Sequence, residues 1–223
     1  KYVDDAIYII AKSSFLRGEV IIAESYFKQL IRDYPQSNFY SISEIWLIYT
    51  HLRMGMVDEA HDAIEGVQIN APSGGERLFL IHNILAEIAK ANDDIDNIYL
   101  NYEKAAQFAP SRSKKIATYG KLVLIAEENQ NKVKASEYLV SLGDVAPDKI
   151  RIDARMQWII YQRELKNFDI IISEIQRMLD MTEFAAENMQ LELELGKVYK
   201  DKGNFDLAKE YFGIIVEKYS KKD

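Results

Sequence analysis

The sequence predicts an all-α protein, a solenoid of six stacked helical hairpins, and three observations carry that prediction. The four prolines stand at 35, 72, 110 and 147, so they recur every 37 or 38 residues. Ahead of each lies a pair of residues four apart, and the pairs keep the same period. They are Ala23 and Phe27, Ala60 and Ile64, Ile98 and Tyr102, and Ala135 and Leu139, continuing without proline as Ile171 and Ile175, then Ala208 and Phe212. With ten glycines and four prolines in 223 residues, the chain favours helices joined by short turns.

Each period reads as two helices. In the first, Ile7, Ile10, Ala11 and Ser14 recur at three- and four-residue steps, the spacing of one helix face. Gly18 ends that helix, and a second one buries Ile22, Ala23, Tyr26, Phe27 and Leu30. Pro35 stops it, because proline disfavours the helical conformation at the residue before it. Gly55 and Gly203 take the place of Gly18, five residues ahead of Ala60 and Ala208. The small alanine lets two helices approach, and the larger residue four positions on fills the space beside it. Periods three to five lack the turn glycine, with Asn92 or Asn129 close by, and Ile98 and Ile171 replace the small residue, which leaves their exact hairpin geometry open but not the repeat itself. The units run approximately over residues 4–37, 41–74, 79–112, 116–149, 152–185 and 189–222. One hairpin cannot cover its own apolar stripe, so stability comes from each unit covering the next.

The last unit, LGKVYKDKGNFDLAKEYF, places Leu195, Gly196, Tyr199, Gly203, Ala208 and Phe212 at the spacing of the tetratricopeptide repeat, which it resembles. Unit one carries Ala11, Gly18, Ala23, Phe27 and Pro35 on the same frame, and unit two Leu47, Gly55, Ala60 and Pro72. The resemblance implies a right-handed superhelix whose concave surface is lined by the first helix of each pair, and a function in holding other proteins. Ala23, Phe27, Leu30, Tyr34, Pro35 and Ser37 are similar to the A…F…L…YPxS phrase of bacterial envelope proteins, the outer-membrane-assembly lipoproteins and Tol–Pal coordinators. That resemblance implies a periplasmic or cell-envelope protein, with a lipid anchor upstream; the alternative is a cytoplasmic adaptor. The chain opens on lysine, and a longer or processed precursor is expected. A co-chaperone carboxylate clamp would need Lys and Asn at its inner positions. Here they are Tyr8, Lys12, Trp46, Leu80 and Ile84, and only Lys12 keeps the required type.

Composition narrows the function further. The formal net charge is −7, and no basic run is longer than the final pair Lys221–Lys222, so nucleic acid and acidic membrane surfaces are not expected partners. With no cysteine, disulfides, thiolate zinc sites and cysteine nucleophiles are excluded. No apolar stretch reaches the roughly 18 residues of a membrane span. His51, His61 and His82 do not pair at metal-ligand spacing, and His51 reads as a packed residue. Asn92 to Asp96 lacks the central glycine and closing glutamate of a calcium loop, so helix capping accounts for it. There is no nucleophile elbow, P-loop or dinucleotide fingerprint, and Glu127, Glu128, Glu192 and Glu194 read as solvated charges. No enzyme activity, metal or cofactor is expected.

Two surfaces are candidates for contact with a protein. Ile45, Trp46, Leu47, Ile48 and Tyr49 are consecutive, and at about 100° per residue they cannot share one stripe. The repeat frame turns Leu47, Ile48 and His51 into the stack. It leaves Ile42, Ile45, Trp46, Tyr49 and Leu52 facing a groove, continued by Tyr8, Ile9, Lys12 and Phe15. Such a groove suits a helix or extended segment of a partner, while intramolecular packing of the same aromatics is the competing reading. At the far end Phe212, Ile215, Val216 and Tyr219 have no following helix in the sequence to cover them, which leaves a second contact face or a self-association surface.

Overall fold

The structure is a computed structural model that describes residues 2–67 and 75–219, the side chains of Thr182, Glu183 and Tyr219 excepted. Pro72 and the Lys221–Lys222 pair lie outside the described residues. Among the described residues the chain is all-helical, with twelve α-helices and no strand. They pair in sequence as α1 (Val3–Leu16) and α2 (Val20–Asp33), α3 (Tyr40–Arg53) and α4 (Val57–Gly66), and α5 (Gly75–Ala91) and α6 (Ile95–Gln107). Then come α7 (Arg112–Glu128) and α8 (Lys132–Val145), α9 (Asp148–Glu164) and α10 (Phe168–Leu179), and α11 (Asn188–Asp201) and α12 (Phe205–Tyr219). A short 3-10 turn at Thr182–Glu187 precedes α11.

The inter-helix turn is the same in all six hairpins. Gly18, Gly55 and Gly203 sit at φ of 80°, 82° and 84°, and Asp93, Gln130 and Lys166 at 53°, 54° and 60°. The residue after each closes the turn by donating its N–H five residues back, as Glu19 to Ser14, Met56 to His51, Asp94 to Ala89, Asn131 to Ala126, Asn167 to Gln162 and Asn204 to Tyr199. This is the Schellman pattern, which satisfies the last carbonyls of one helix. The same closing residue then starts the next helix. Asp94 accepts from Asn97 N–H at 3.2 Å, Asn131 from Lys134 N–H at 3.1 Å and Asn204 from Leu207 N–H at 3.3 Å. Repeats three to five therefore keep the standard hairpin turn without glycine.

First helices α5, α7 and α9 have 17 residues, against 14 in α1, α3 and α11, and begin at 75, 112 and 148 where the period had placed units at 79, 116 and 152. For α9 the physical reason is visible at Pro147, which follows the end of α8 and itself caps α9, so that connection has almost no length.

Two compact units cover residues 1–122 and 123–223. In the first, Ala11, Ala23, Phe27, Leu30, Ile45, Ile81 and Ile84 form the fully buried centre. In the second, Ile159, Ile171, Ile175, Met178, Leu191 and Leu195 do so. Each large apolar side chain among them contributes roughly 1.5–3 kcal/mol through removal of apolar surface from water. The small-then-large pairs behave as read. Ala23, Ala60, Ala135 and Ile171 are fully buried, Ile98 and Ala208 nearly so, and Phe27, Ile64, Tyr102, Leu139 and Ile175 are all in the core. Phe212 is the exception and is half-buried.

Two readings of the sequence are corrected here. Ile10 and Ile22, placed on buried stripes, are 41% and 47% exposed. Glu194 is buried rather than solvated. It accepts from Arg163 at 2.7 Å and Lys197 at 2.6 Å, a pairing between α9 and its neighbour α11 that periodicity could not show.

Candidate functional site

In residues 1–122 the first helices of four successive hairpins line one cleft. Phe15 of α1, Trp46, Tyr49 and Arg53 of α3, Phe79, Leu80 and Asn83 of α5, and Lys114, Ala117 and Lys121 of α7 meet around a cavity of about 240 Å³. On α3 and α7 the lining residues are three, four or seven apart, the spacing that puts side chains on one helix face. The volume admits one or two side chains of a partner rather than a whole segment.

The floor of the cleft is aromatic. Phe15 meets Trp46 edge-on at 5.0 Å and Tyr49 at 5.1 Å, and Trp46 stacks on Phe27 beneath it at 6.4 Å. Lys12 lies across this cluster. Its Nζ is 5.4 Å from the Trp46 ring and 5.5 Å from the Tyr8 ring, and it donates to Glu76 Oε1 at 2.8 Å. That bond ties α1 to α5 across α3. Burial opposes the Lys12 charge, but the hydrogen bond to Glu76 and the fields of Tyr8 and Glu76 outweigh it, and its pKa is raised. Lys12 thus serves as part of the protein's own packing, with cation–π contacts worth about 0.5–2 kcal/mol each.

This arrangement revises the expected groove. Ile45 is fully buried and Trp46 is 5% exposed, so neither faces outward as the repeat frame had placed them. Conversely Leu47 and His51, expected to point into the stack, are only half-buried, and His51 Nε2 lies 3.1 Å from Glu24 Oε1. Tyr8 is also buried, stacked on Phe39 at 4.5 Å. Of the expected residues, Phe15 and Tyr49 line the cleft with partly open surfaces. Leu52 lines an adjoining hollow of about 440 Å³ with Tyr49, Arg53, Glu87 and Lys90, and Ile42 packs at the edge of the core. The indole Nε1–H of Trp46 is buried with no hydrogen-bond acceptor among the described residues.

The sequence reading did not single out the charged rim. Arg53 and Lys114 are exposed at the cleft and make no ion pair among the described residues. Lys121 lies over the Tyr102 ring at 4.8 Å and 3.5 Å from Glu87, to which Tyr102 donates at 2.5 Å. Burial, then that bond to Glu87, pushes the Tyr102 hydroxyl far above the usual phenol range. The rim is therefore basic on a chain of net charge −7. The signal was available in the repeat frame, since Lys121 occupies the position of Ile9 and Trp46.

At the second expected face, Phe205, Ala208, Phe212, Gly213 and Val216 line an apolar hollow of about 560 Å³ on α12, with Phe205 69% and Val216 63% exposed. Ile215 is half-buried, and the side chain of Tyr219 is outside the described residues. Among the described residues no three His, Cys, Asp or Glu side chains are grouped to hold a metal ion, and no helix is long and apolar enough to cross a membrane.

A family model described as tetratricopeptide repeat matches residues 5–37 and 191–221, the first and last hairpins. Those two hairpins are similar to tetratricopeptide repeats. Between those two repeats the shared left-handed turn and small-then-large pairs continue the pattern where the sequence match stops. Comparison with curated proteins finds no match. Among solved structures the chain is similar to PilF of Pseudomonas aeruginosa, with a TM-score of 0.52 at 12% identity over 98% of this chain and 93% of that one. It is similar to PilW, a type IV pilus biogenesis factor, at 0.51 and 11% over 100% and 96%. It is also similar to the quorum sensor NprR of B. thuringiensis, at 0.55 and 13% over 96% and 64%. At these identities the similarity is one of fold.

Proposed function

We propose that the protein is a non-catalytic scaffold that holds a segment of another protein in the first-helix cleft of residues 1–122. The observation that carries this reading is the cleft itself, aromatic at its floor and rimmed by Arg53 and Lys114, whose charges have no ion-pair partner among the described residues. Charge on the rim selects a partner side chain bearing a carboxylate, and Phe15 and Tyr49 supply apolar contact beside it.

The setting we propose is the bacterial cell envelope, in its assembly or maintenance. Support comes from the phrase Ala23, Phe27, Leu30, Tyr34, Pro35, Ser37 and from the absence of cysteine. The pilus biogenesis factor PilW, which shares the fold, is compatible with it.

The test is photo-crosslinking in cells, with a probe replacing Ala117 in the cleft and a control probe replacing Asp62 on α4, both exposed. Adducts are expected at 117 and not at 62, and they should disappear when Arg53 and Lys114 are both changed to Glu. Adducts shared by both probes, or adducts at 117 that survive the charge reversal, would overturn the reading.

A further inference from the structure

Helix α7 sets the charge of the cleft in a regular pattern. From Lys104 to Ala126 the chain has five basic residues and no acidic one, although Asp and Glu number 35 in the whole sequence. Lys114 stands in the first turn of α7, where the helix dipole opposes a positive charge, and no carboxylate pairs with it among the described residues. The stability of the helix therefore gives no account of it. Lys114, Ala117 and Lys121 are three and four residues apart, so they share one face of α7, and all three are exposed where they line the cleft. At about 1.5 Å of rise per residue, the two lysines are rooted about 10 Å apart along the helix. Facing them across the cleft, Phe15 and Tyr49 are half-buried and Leu16 is 66% exposed. The place of Leu16 is taken in later repeats by Arg53, Ala91, Glu128, Glu164 and Asp201, each exposed as well, so its openness belongs to the first-helix face of every repeat.

Resting on the cleft as the binding site, we infer that its occupant is an amphipathic α-helix of the partner protein. That helix is acidic at two positions seven residues apart and carries a bulky apolar side chain midway between them. It rises at the same rate as α7, so its residues i and i+7 are also about 10 Å apart, with i+3 and i+4 on the same face between them. Laid along α7, it sets one carboxylate beside Lys114 and the other beside Lys121. Its middle side chain passes over Ala117 into the cavity of about 240 Å³, against Phe15 and Tyr49. That volume takes one or two side chains while the backbone stays outside, as when a helix lies on an apolar groove. An extended segment fits less well, because its same-face residues recur at about 7 Å and about 13 Å, on either side of the lysine spacing. The small side chain of Ala117 lets the two helices reach the usual separation of about 8–10 Å. Arg53, on the opposite wall, adds a third positive charge toward the same occupant.

Fluorescence anisotropy of the 223-residue chain with three fluorescein-labelled synthetic peptides tests this. All are alanine-rich and about 20 residues long, enough to hold a helix. The first carries Glu at i and i+7 and Leu at i+3 and i+4. The second has the same composition with both glutamates moved to the far face, at i+2 and i+9. The third is the first with proline at i+5, which breaks the helix. The first peptide is expected to bind about tenfold more tightly than either of the others. Changing Lys114 and Lys121 together to Gln should reduce it to the level of the second, with the far-UV circular dichroism spectrum of the parent kept, since both sites are exposed. Equal binding of the first two peptides overturns the inference, as does a preference that survives the loss of both lysines. A proline peptide that binds as well as the first overturns it in favour of an extended segment, and a first peptide that does not bind at about 1 mM removes it outright. Any of these, together with crosslinks at 117 that disappear on charge reversal, would leave the cleft as the binding site and remove the helix alone. Absence of those crosslinks would remove both.

Discussion

Lys166 is the most informative residue at which to test the physics of the turns. Its φ of 60° is the left-handed conformation that glycine takes at Gly18, Gly55 and Gly203. A side chain there costs about 1–2 kcal/mol through the clash of Cβ with the backbone. Glycine removes that cost but loses about 0.5–1 kcal/mol of chain entropy on folding. Lys166 is exposed and makes no ion pair among the described residues, so little else is lost. Lys166→Gly should therefore raise stability by about 0.5–1 kcal/mol, or about 1–4 °C in melting temperature for a chain of this size. The reverse change is equally clean. A Cβ built on Gly203 meets nothing within 4 Å, so Gly203→Ala carries only the conformational cost and should lower stability by a similar amount. Urea unfolding followed by circular dichroism would read both as shifts in midpoint at unchanged slope. A Lys166→Gly variant less stable than the parent, or a Gly203→Ala variant as stable as the parent, would refute the strain argument.

Two further outcomes follow from the packing. Gly196 differs from Gly203 because its added Cβ would stand 2.7 Å from Cε1 of Phe212, so Gly196→Ala should cost about 1–3 kcal/mol by overpacking, again read from the urea midpoint. Burial lowers the pKa of His82 from its ordinary 6.5, with Asn101 partly opposing through a 3.1 Å contact and Lys104 adding to the decrease. The unfolded chain then takes up the proton first, so stability from this group is full above pH 6.5 and is lost as pH falls through the lowered value. Midpoints measured between about pH 7.5 and about pH 5 should fall in the parent and fall less in His82→Gln.

The helical hairpins and their period were legible because they are local. A proline that ends a helix, a turn glycine and a small residue facing a large one each act within a few positions, and each recurs in register. The candidate site was legible only in part. Ile45 to Tyr49 are apolar without a break, so the helix had no polar side from which to infer its rotation, and the frame placed Ile45 and Trp46 outward. Their burial is decided by Phe27, by Phe15 and by the bridge from Lys12 to Glu76, all residues on other helices. The cleft rim depends likewise on Arg53 and Lys114 being brought together from α3 and α7.

The all-helical repeat and the buried small-then-large pair of most second helices thus follow from amino-acid order alone, since one short-range pattern sets both. Packing between helices settled the remainder: which first-helix residues stay open, and that Glu194 is paired rather than solvated. It also settled that Asp93, Gln130 and Lys166 accept the left-handed turn. The last case shows the physical reason most plainly. The five-residue hydrogen bond that closes each turn is required by the stacking of the hairpins, and the backbone conformation follows from that bond whether or not the residue is glycine.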